Sequence, residues 1–309
     1  MDWNHLEVLV AVAETGSLSA AARRLGQSQP TLSRHVAALE LALGGGIFAR
    51  HPRGLALTER GQELYALARS VADEVDAFAR RASADEHTIA GTVRISASEV
   101  VAMHVLPTVL VSIRQRWPAV ELEVVADNRV ANLPRRDADL AIRMFKPTQG
   151  DLVARFVADA AIALYAAPSY LEQFGRPSLA GGGDVQAMFR SHTFLGLDRD
   201  DQFLRGLAAM GLPLQREDFR VRSDAQAFHV QAAAAGLGIA AVQQAVAARL
   251  GLVEVLSGVL PLPALPVWLV AHADLRRSAR VRAVWDALHG ELAGFYAATP
   301  SSPEAPLLG

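Results

Sequence analysis

Apolar residues recur at helical spacing near the start of the chain, at Leu6, Leu9, Val10 and Ala13, and Gly16 closes that run. A second short helix is predicted from Ala20 to Leu25, capped by Ser17 or Ser19 and stopped at Gly26. Ser28 caps a third helix with Pro30 in its first turn, where the missing N–H costs nothing. Leu32, Val36, Leu39 and Leu43 form its apolar stripe, which leaves Gln29, Thr31, Ser33 and Arg34 facing outward. That helix has a buried side and a hydrogen-bonding side.

After Ile47-Phe48, the run ARHPRGLALT has Pro and Gly punctuation between apolar flanks and reads as a short hairpin with a basic tip, Arg50 to Arg53. Thr58 caps a long helix predicted to run to about Arg81. Along it Leu64, Ala68, Val71, Val75, Phe78 and Ala82 step by 4, 3, 4, 3, 4, a heptad seam. A seam this narrow is poorly buried in a monomer, so pairing with a second copy through Leu64, Ala68, Val71, Val75 and Phe78 is expected. The polar run 83–88 reads as a hinge.

From Gly91 onward strand and helix patterns alternate. Strands are predicted at 93–97, 120–126, 138–143, 158–165, 192–197, 238–242 and 267–271, and helices at 100–117, 169–174, 225–235 and 281–297. Such alternation implies α/β architecture with mainly parallel sheets. Gly181 to Gly183 reads as a loop, and the tail from Thr299 has the composition of a disordered end.

At 309 residues the chain is long enough for about two domains at roughly 150 residues each. With 51% apolar residues it is not a disordered chain. A net charge of -2 excludes a uniformly basic coat, so any polyanion site is local. The chain has no cysteine, which removes disulfides, thiolate zinc sites, cysteine nucleophiles and thiol redox sensing together. Of 30 basic residues only Lys146 is a lysine, in keeping with codon bias alongside heavy alanine use. The sequence carries no signal-peptide pattern and no apolar run long enough to span a bilayer, so a cytoplasmic address is expected.

Charge changes the picture in one place. Ser17 to Leu39 holds Arg23, Arg24 and Arg34 and no carboxylate, a segment of +3 in a chain of -2. Two short helices joined at Gly26, the second with a polar exposed start, have the arrangement of a helix-turn-helix that enters a DNA major groove. Gln29 offers a bidentate amide to adenine, Thr31 and Ser33 reach base edges or a methyl, and Arg50 and Arg53 reach phosphate or minor groove from the hairpin tip.

The stretch LEVLVAVAETGSLSAAARRLGQSQPTLSRHVAALELALGGGIFARHPRGLALTERG, and AARRLGQSQPTLSRHVAALE most specifically, resembles the DNA-binding domain of LysR-type transcriptional regulators. VRISAS, DADLAIR, YAAPSYL, HTFLGLD, AAAAGLGIAAV and WLVAHADLRR follow in that family's order, so the resemblance covers Met1 to about Leu292. It implies an α+β multidomain chain. A winged helix-turn-helix (1–60) is followed by a dimerisation helix and hinge (61–90) and a two-lobed α/β effector domain like periplasmic binding proteins (91–298). Residues 299–309, outside the resemblance, are expected from their composition to be a disordered tail. The family's recognition-helix positions fall on Ser28, Gln29, Pro30, Thr31, Ser33 and Arg34, and its wing on Arg50 and Arg53. One departure is Gly44-Gly45-Gly46, where relatives place one glycine, which leaves the placing of the wing open.

The resemblance also implies a cleft walled by Ser96, Ser98, Glu99, Ser223 and Asp224, with Asn128, Arg143, Phe194 and Leu195 as weaker candidates. Glu99 at a helix start satisfies the dipole there and repels anions, so a neutral, cationic or zwitterionic effector is expected. Gly236-Leu237-Gly238-Ile239-Ala240-Ala241 mimics a dinucleotide fingerprint, but a helix precedes it and a strand follows, the reverse of what that motif needs. The nine histidines include no i,i+4 pair, although His104 and His229 could line the cleft. No catalytic constellation, metal site or cofactor is expected. The expected partners are dyad-related DNA half-sites, a small-molecule effector and a second copy of the chain, with tetramers implied by the resemblance. A solute-binding or enzymatic α/β protein with an N-terminal assembly module is the alternative reading.

Overall fold

A computed structural model describes residues 3–51, 54–82, 88–126, 128, 138–147, 152–179, 184–199, 201–209, 211–212, 214–259, 262–272 and 278–298. The tip residues Pro52 and Arg53, most of the expected hinge, the Gly181 to Gly183 loop and the tail lie outside them. The described residues divide into two compact units, one within 3–82 and the other within 88–298.

The first unit contains α1 (Trp3–Thr15), α2 (Leu18–Arg24), α3 (Gln29–Leu43), β1 (Phe48–His51), β2 (Gly54–Leu57) and α4 (Glu59–Ala82). Ser17 caps α2 by accepting the Ala20 N–H, and Ser28 caps α3 by accepting the Thr31 N–H. Leu32, Val36 and Leu39 are buried against Val8, Leu9 and Val12 of α1, so the predicted stripe is the core stripe. Gly44 ends α3 at φ +70°, a conformation that favours glycine. β1 and β2 pair antiparallel from Phe48–Leu57 to His51–Gly54. The Thr58 hydroxyl accepts the Gly61 N–H at 3.0 Å and caps α4.

The heptad seam divides in two. Leu64 and Ala68 pack with Leu9, Val10, Leu39 and Ile47 of the same chain, and Ala68 is buried. The later seam residues Val71, Val75 and Phe78 are exposed. α1 occupies the first half of the seam because α4 begins beside it and runs past its end.

The second unit runs β3 (Gly91–Ala97), α5 (Glu99–His104), α6 (Leu106–Arg116), β4 (Val120–Ala126), β5 (Leu140–Arg143), β6 (Leu152–Ala160), β7 (Ile162–Ala166), α7 (Pro168–Phe174) and α8 (Val185–Ser191). It continues with β8 (Leu195–Gly196), α9 (Asp201–Ala209), β9 (Val221–Arg222), α10 (Gln226–Ala234), β10 (Ala240–Gln243), α11 (Gln244–Arg249), β11 (Val253–Val255), β12 (Leu265–His272) and α12 (Ala279–Ala297).

One lobe holds the five-stranded sheet β4-β3-β5-β12-β6, and the other holds β10-β7-β11, extended through a Phe194–Ile239 bridge to the β8-β9 pair. The expectation of mainly parallel sheets is corrected. β3–β4, β3–β5 and β8–β9 are parallel, whereas β12 runs antiparallel to β5 and β6, and β7 antiparallel to β10 and β11. β12 reaches the first sheet from the second lobe, so it need not follow the right-handed crossover that makes neighbours parallel.

Two predicted elements are split. The 100–117 helix breaks at Val105 into α5 and α6, because Pro107 has no N–H to donate and its ring collides with the carbonyl four residues back. The 158–165 strand breaks at Ala161, where the chain leaves the first sheet as β6 and enters the second as β7. The Ala161 carbonyl at the crossing accepts the Gln244 N–H at 2.8 Å.

Candidate nucleic-acid interface and ligand cleft

The helix pair α2–α3 brings the predicted reading residues to one helix start. Gln29, Pro30, Ser33 and Arg34 are exposed, Thr31 is half-buried, and Ser28 is exposed at the cap. The Ser28 and Thr31 hydroxyls lie 2.8 Å apart and pair with each other, so Thr31 is committed to the cap as much as to solvent. Ser19 of α2 donates its hydroxyl to Gln29 Oε1 at 2.9 Å, a contact across ten residues that no local pattern signals. The charge count over Ser17 to Leu39 needs adjusting, because Arg24 forms an ion pair with Glu14, which also meets Arg69 Nη1 at 3.0 Å. Arg23 and Arg34 remain exposed.

The wing is anchored despite the run of three glycines. Glu40 Oε1 accepts the N–H groups of Ile47 and Phe48, and the Arg60 guanidinium donates to the Leu43 carbonyl at the end of α3. The Arg50 side chain and all of Arg53 lie outside the described residues.

In the second unit, the residues expected to wall a cleft fall in two groups, the first around β3, β5 and the start of α5. Arg143 donates to Ser96 twice, through Nη2 to Oγ at 3.0 Å and through Nη1 to the carbonyl at 3.3 Å, and Ser96 is buried. Asn128 Oδ1 accepts the Glu99 N–H at 2.9 Å, one of the free donors at the start of α5, where the Ser98 side chain makes no cap bond.

The second group lies in the loop before α10. Asp224 Oδ1 accepts the N–H groups of Asp198 and Arg199 at 2.9 and 3.0 Å, and these bonds hold its carboxyl below the usual value. The Ser223 N–H donates to the Gly196 carbonyl, and its hydroxyl accepts the Ala225 N–H. Phe194 and Leu195 are buried, and Phe194 stacks on Phe189 at 3.8 Å, so that ring serves the lobe core. α5 packs against α10.

His104 and His229 lie on those two helices, and each has a buried Nε2 without a hydrogen-bond partner. Burial pushes both imidazoles below their ordinary value; for His229 the Ser223 and Gly196 carbonyls and the Asp224 charge oppose that shift. Gly236 is the positive-φ stop of α10, and a Cβ on Gly238 would sit 2.3 Å from the Thr193 carbonyl oxygen, so these glycines serve packing. Among the described residues no His, Asp and Glu cluster could hold a metal, and no helix is long and apolar enough to cross a membrane.

Residues 3–62 match the model of the bacterial regulatory helix-turn-helix protein, lysR family, and residues 86–293 match the LysR substrate binding domain. The HTH-type transcriptional regulator CrgA of Neisseria meningitidis is 31% identical over 175 residues, 57% of this chain and 58% of that protein. The regulator PtxR of Pseudomonas aeruginosa is 34% identical over 172 residues, 55% of each. The matched stretch thus spans little more than half the length of either relative. A solved structure of full-length CbnR with its target DNA has the same fold at TM-score 0.59 and 18% identity, covering 94% of this chain and 100% of that one.

Proposed function

The chain belongs to the LysR family of bacterial regulators, and from that premise we propose that it is a sequence-specific DNA-binding transcription factor governed by a small molecule. The observation that supports this most is the exposed start of α3, where Gln29, Ser33 and Arg34 stand clear of the core on a capped second helix. CbnR is described with its target DNA on the same fold. In this reading Ser28, Gln29, Pro30, Thr31, Ser33 and Arg34 face the major groove, and Arg50 and Arg53 meet phosphate beside it. Two copies pair through the exposed part of α4 and read dyad-related half-sites, in the compartment that holds the DNA, and the chain performs no catalysis.

The cleft between the lobes takes the effector, which contacts Ser98, Glu99, Asn128 and Ser223 and shifts the population of lobe arrangements. Arg143, Ser96 and Asp224 shape its walls. Glu99 favours a neutral, cationic or zwitterionic molecule.

Salt titration of binding to a selected duplex tests the DNA reading. Affinity falls steeply and log-linearly with salt if phosphates are neutralised. Absence of binding at low salt overturns it. For the effector, a Glu99→Gln chain that binds a cationic probe more tightly than the original chain overturns the charge assignment.

A further inference from the structure

At the exposed start of α3 the Gln29 side chain is held from a different helix. The Ser19 hydroxyl, in the first turn of α2, donates to Gln29 Oε1 at 2.9 Å. Ser19 is half-buried and Gln29 is exposed, so the contact joins the framework to the most outward part of the motif. The neighbouring Ser28 and Thr31 hydroxyls are occupied with each other and with the helix cap, and they do not restrain the amide.

An amide oxygen has two lone pairs, and the Ser19 hydroxyl takes one of them. The other lone pair and the Nε2 hydrogens remain, an acceptor beside a donor. That edge complements adenine N6 and N7 in the major groove. A glutamine with free torsions must be immobilised when it meets a base, at a cost in affinity. Here the immobilisation is already present in the protein.

We propose that Ser19 is a positioning residue for base recognition: it fixes the plane and reach of the Gln29 amide before DNA arrives. The inference rests on the reading of α3 as the DNA-reading helix and adds the residue that orients its amide. Ser19 itself touches no base, and its effect passes entirely through Gln29.

The test uses the full-length chain, a duplex selected from a random-sequence library, and the single base-pair variants of that duplex. Wild type, Ser19→Ala, Ser19→Thr, Gln29→Ala and the Ser19→Ala/Gln29→Ala double variant are compared in affinity, salt slope and melting temperature. Ser19→Ala loses roughly two- to tenfold on the selected duplex. The loss falls at the base step where Gln29→Ala relaxes preference and vanishes in the Gln29→Ala background. Ser19→Thr, which keeps the hydroxyl, retains wild-type discrimination.

Additive losses in the double variant overturn the proposal. So does a uniform loss over all duplexes with an altered salt slope, because that is a phosphate contact of Ser19 itself, or a uniform loss with a lowered melting temperature, because that is a fold effect. A Gln29→Ala effect with a silent Ser19→Ala overturns the positioning role alone. A silent Gln29→Ala removes the reading of Gln29 and the proposal with it.

Discussion

Glu40, near the end of α3, accepts the Ile47 N–H at 2.8 Å, and the same Oε1 accepts the Phe48 N–H at 3.0 Å. One carboxylate oxygen thus ties the helix to the strand that begins the wing, across the Gly44-Gly45-Gly46 turn. Hydrogen bonds to a charged group contribute about 1.5–3 kcal/mol each. Glu40→Ala is expected to destabilise the first unit by about 3 kcal/mol or more and to lower DNA affinity through a displaced wing. Glu40→Gln, which keeps a neutral acceptor, loses less. Urea unfolding followed through the first unit, beside a DNA-binding isotherm, measures both; equal losses for the two variants contradict the charged anchor.

Stability should fall on acidification below about pH 6.5, the unfolded histidine value. His104, His192 and His229 all have folded pKa values lowered by burial. Each is neutral in the fold where the unfolded chain already binds a proton. Stability from this source is therefore complete above the unfolded value and is lost as pH falls toward the folded one. Melting temperature against pH checks this, and His229→Leu flattens the slope between pH 5 and 7. An unchanged slope means His229 protonates as easily folded as unfolded.

The two halves of the α4 seam should respond differently to charge. Phe78 is 72% exposed and Ala68 only 1%. If two copies pair through α4 as proposed, Phe78→Glu is expected to dissociate them while leaving the monomer folded. Ala68→Glu instead unfolds the first unit, at about 3 kcal/mol or more for an unpaired buried charge. Sedimentation velocity with circular dichroism separates the two results. A Phe78→Glu chain that remains dimeric rules out this part of α4 as the pairing surface.

Gly238 passes so close to Thr193 that a Cβ would lie 2.3 Å from the carbonyl oxygen and 3.0 Å from Leu195 Cδ1. Gly238→Ala should therefore force β10 away from residue 193 and cost about 1–3 kcal/mol. Thermal unfolding reads the cost. No loss at this position would mean the strand shifts freely.

The N-terminal helices were legible in the amino-acid order because their causes are local. Ser17 and Ser28 cap from their own positions, Pro30 sits where no N–H is needed, and Leu32, Val36 and Leu39 fall on one side of a 3.6-residue repeat. The same local logic placed Gln29, Ser33 and Arg34 outward. Most strands of the second unit were legible as apolar runs for a similar reason, although not their partners.

Tertiary structure decided what depends on those partners. Residues 158–165 read as one strand, and only the separate sheets that receive β6 and β7 divide it at Ala161. The antiparallel seating of β12 follows from where the chain returns, which no residue within β12 encodes. Leu64 and Ala68 share the heptad with Phe78, yet packing within the first unit buries Ala68, half-buries Leu64 and leaves Phe78 exposed. Ser19 and Gln29 meet because Gly26 turns α2 back across α3, and a contact between residues ten apart has no periodic signature. Spacing along the chain fixed which face each residue takes, and packing between elements chose the neighbour that each face meets.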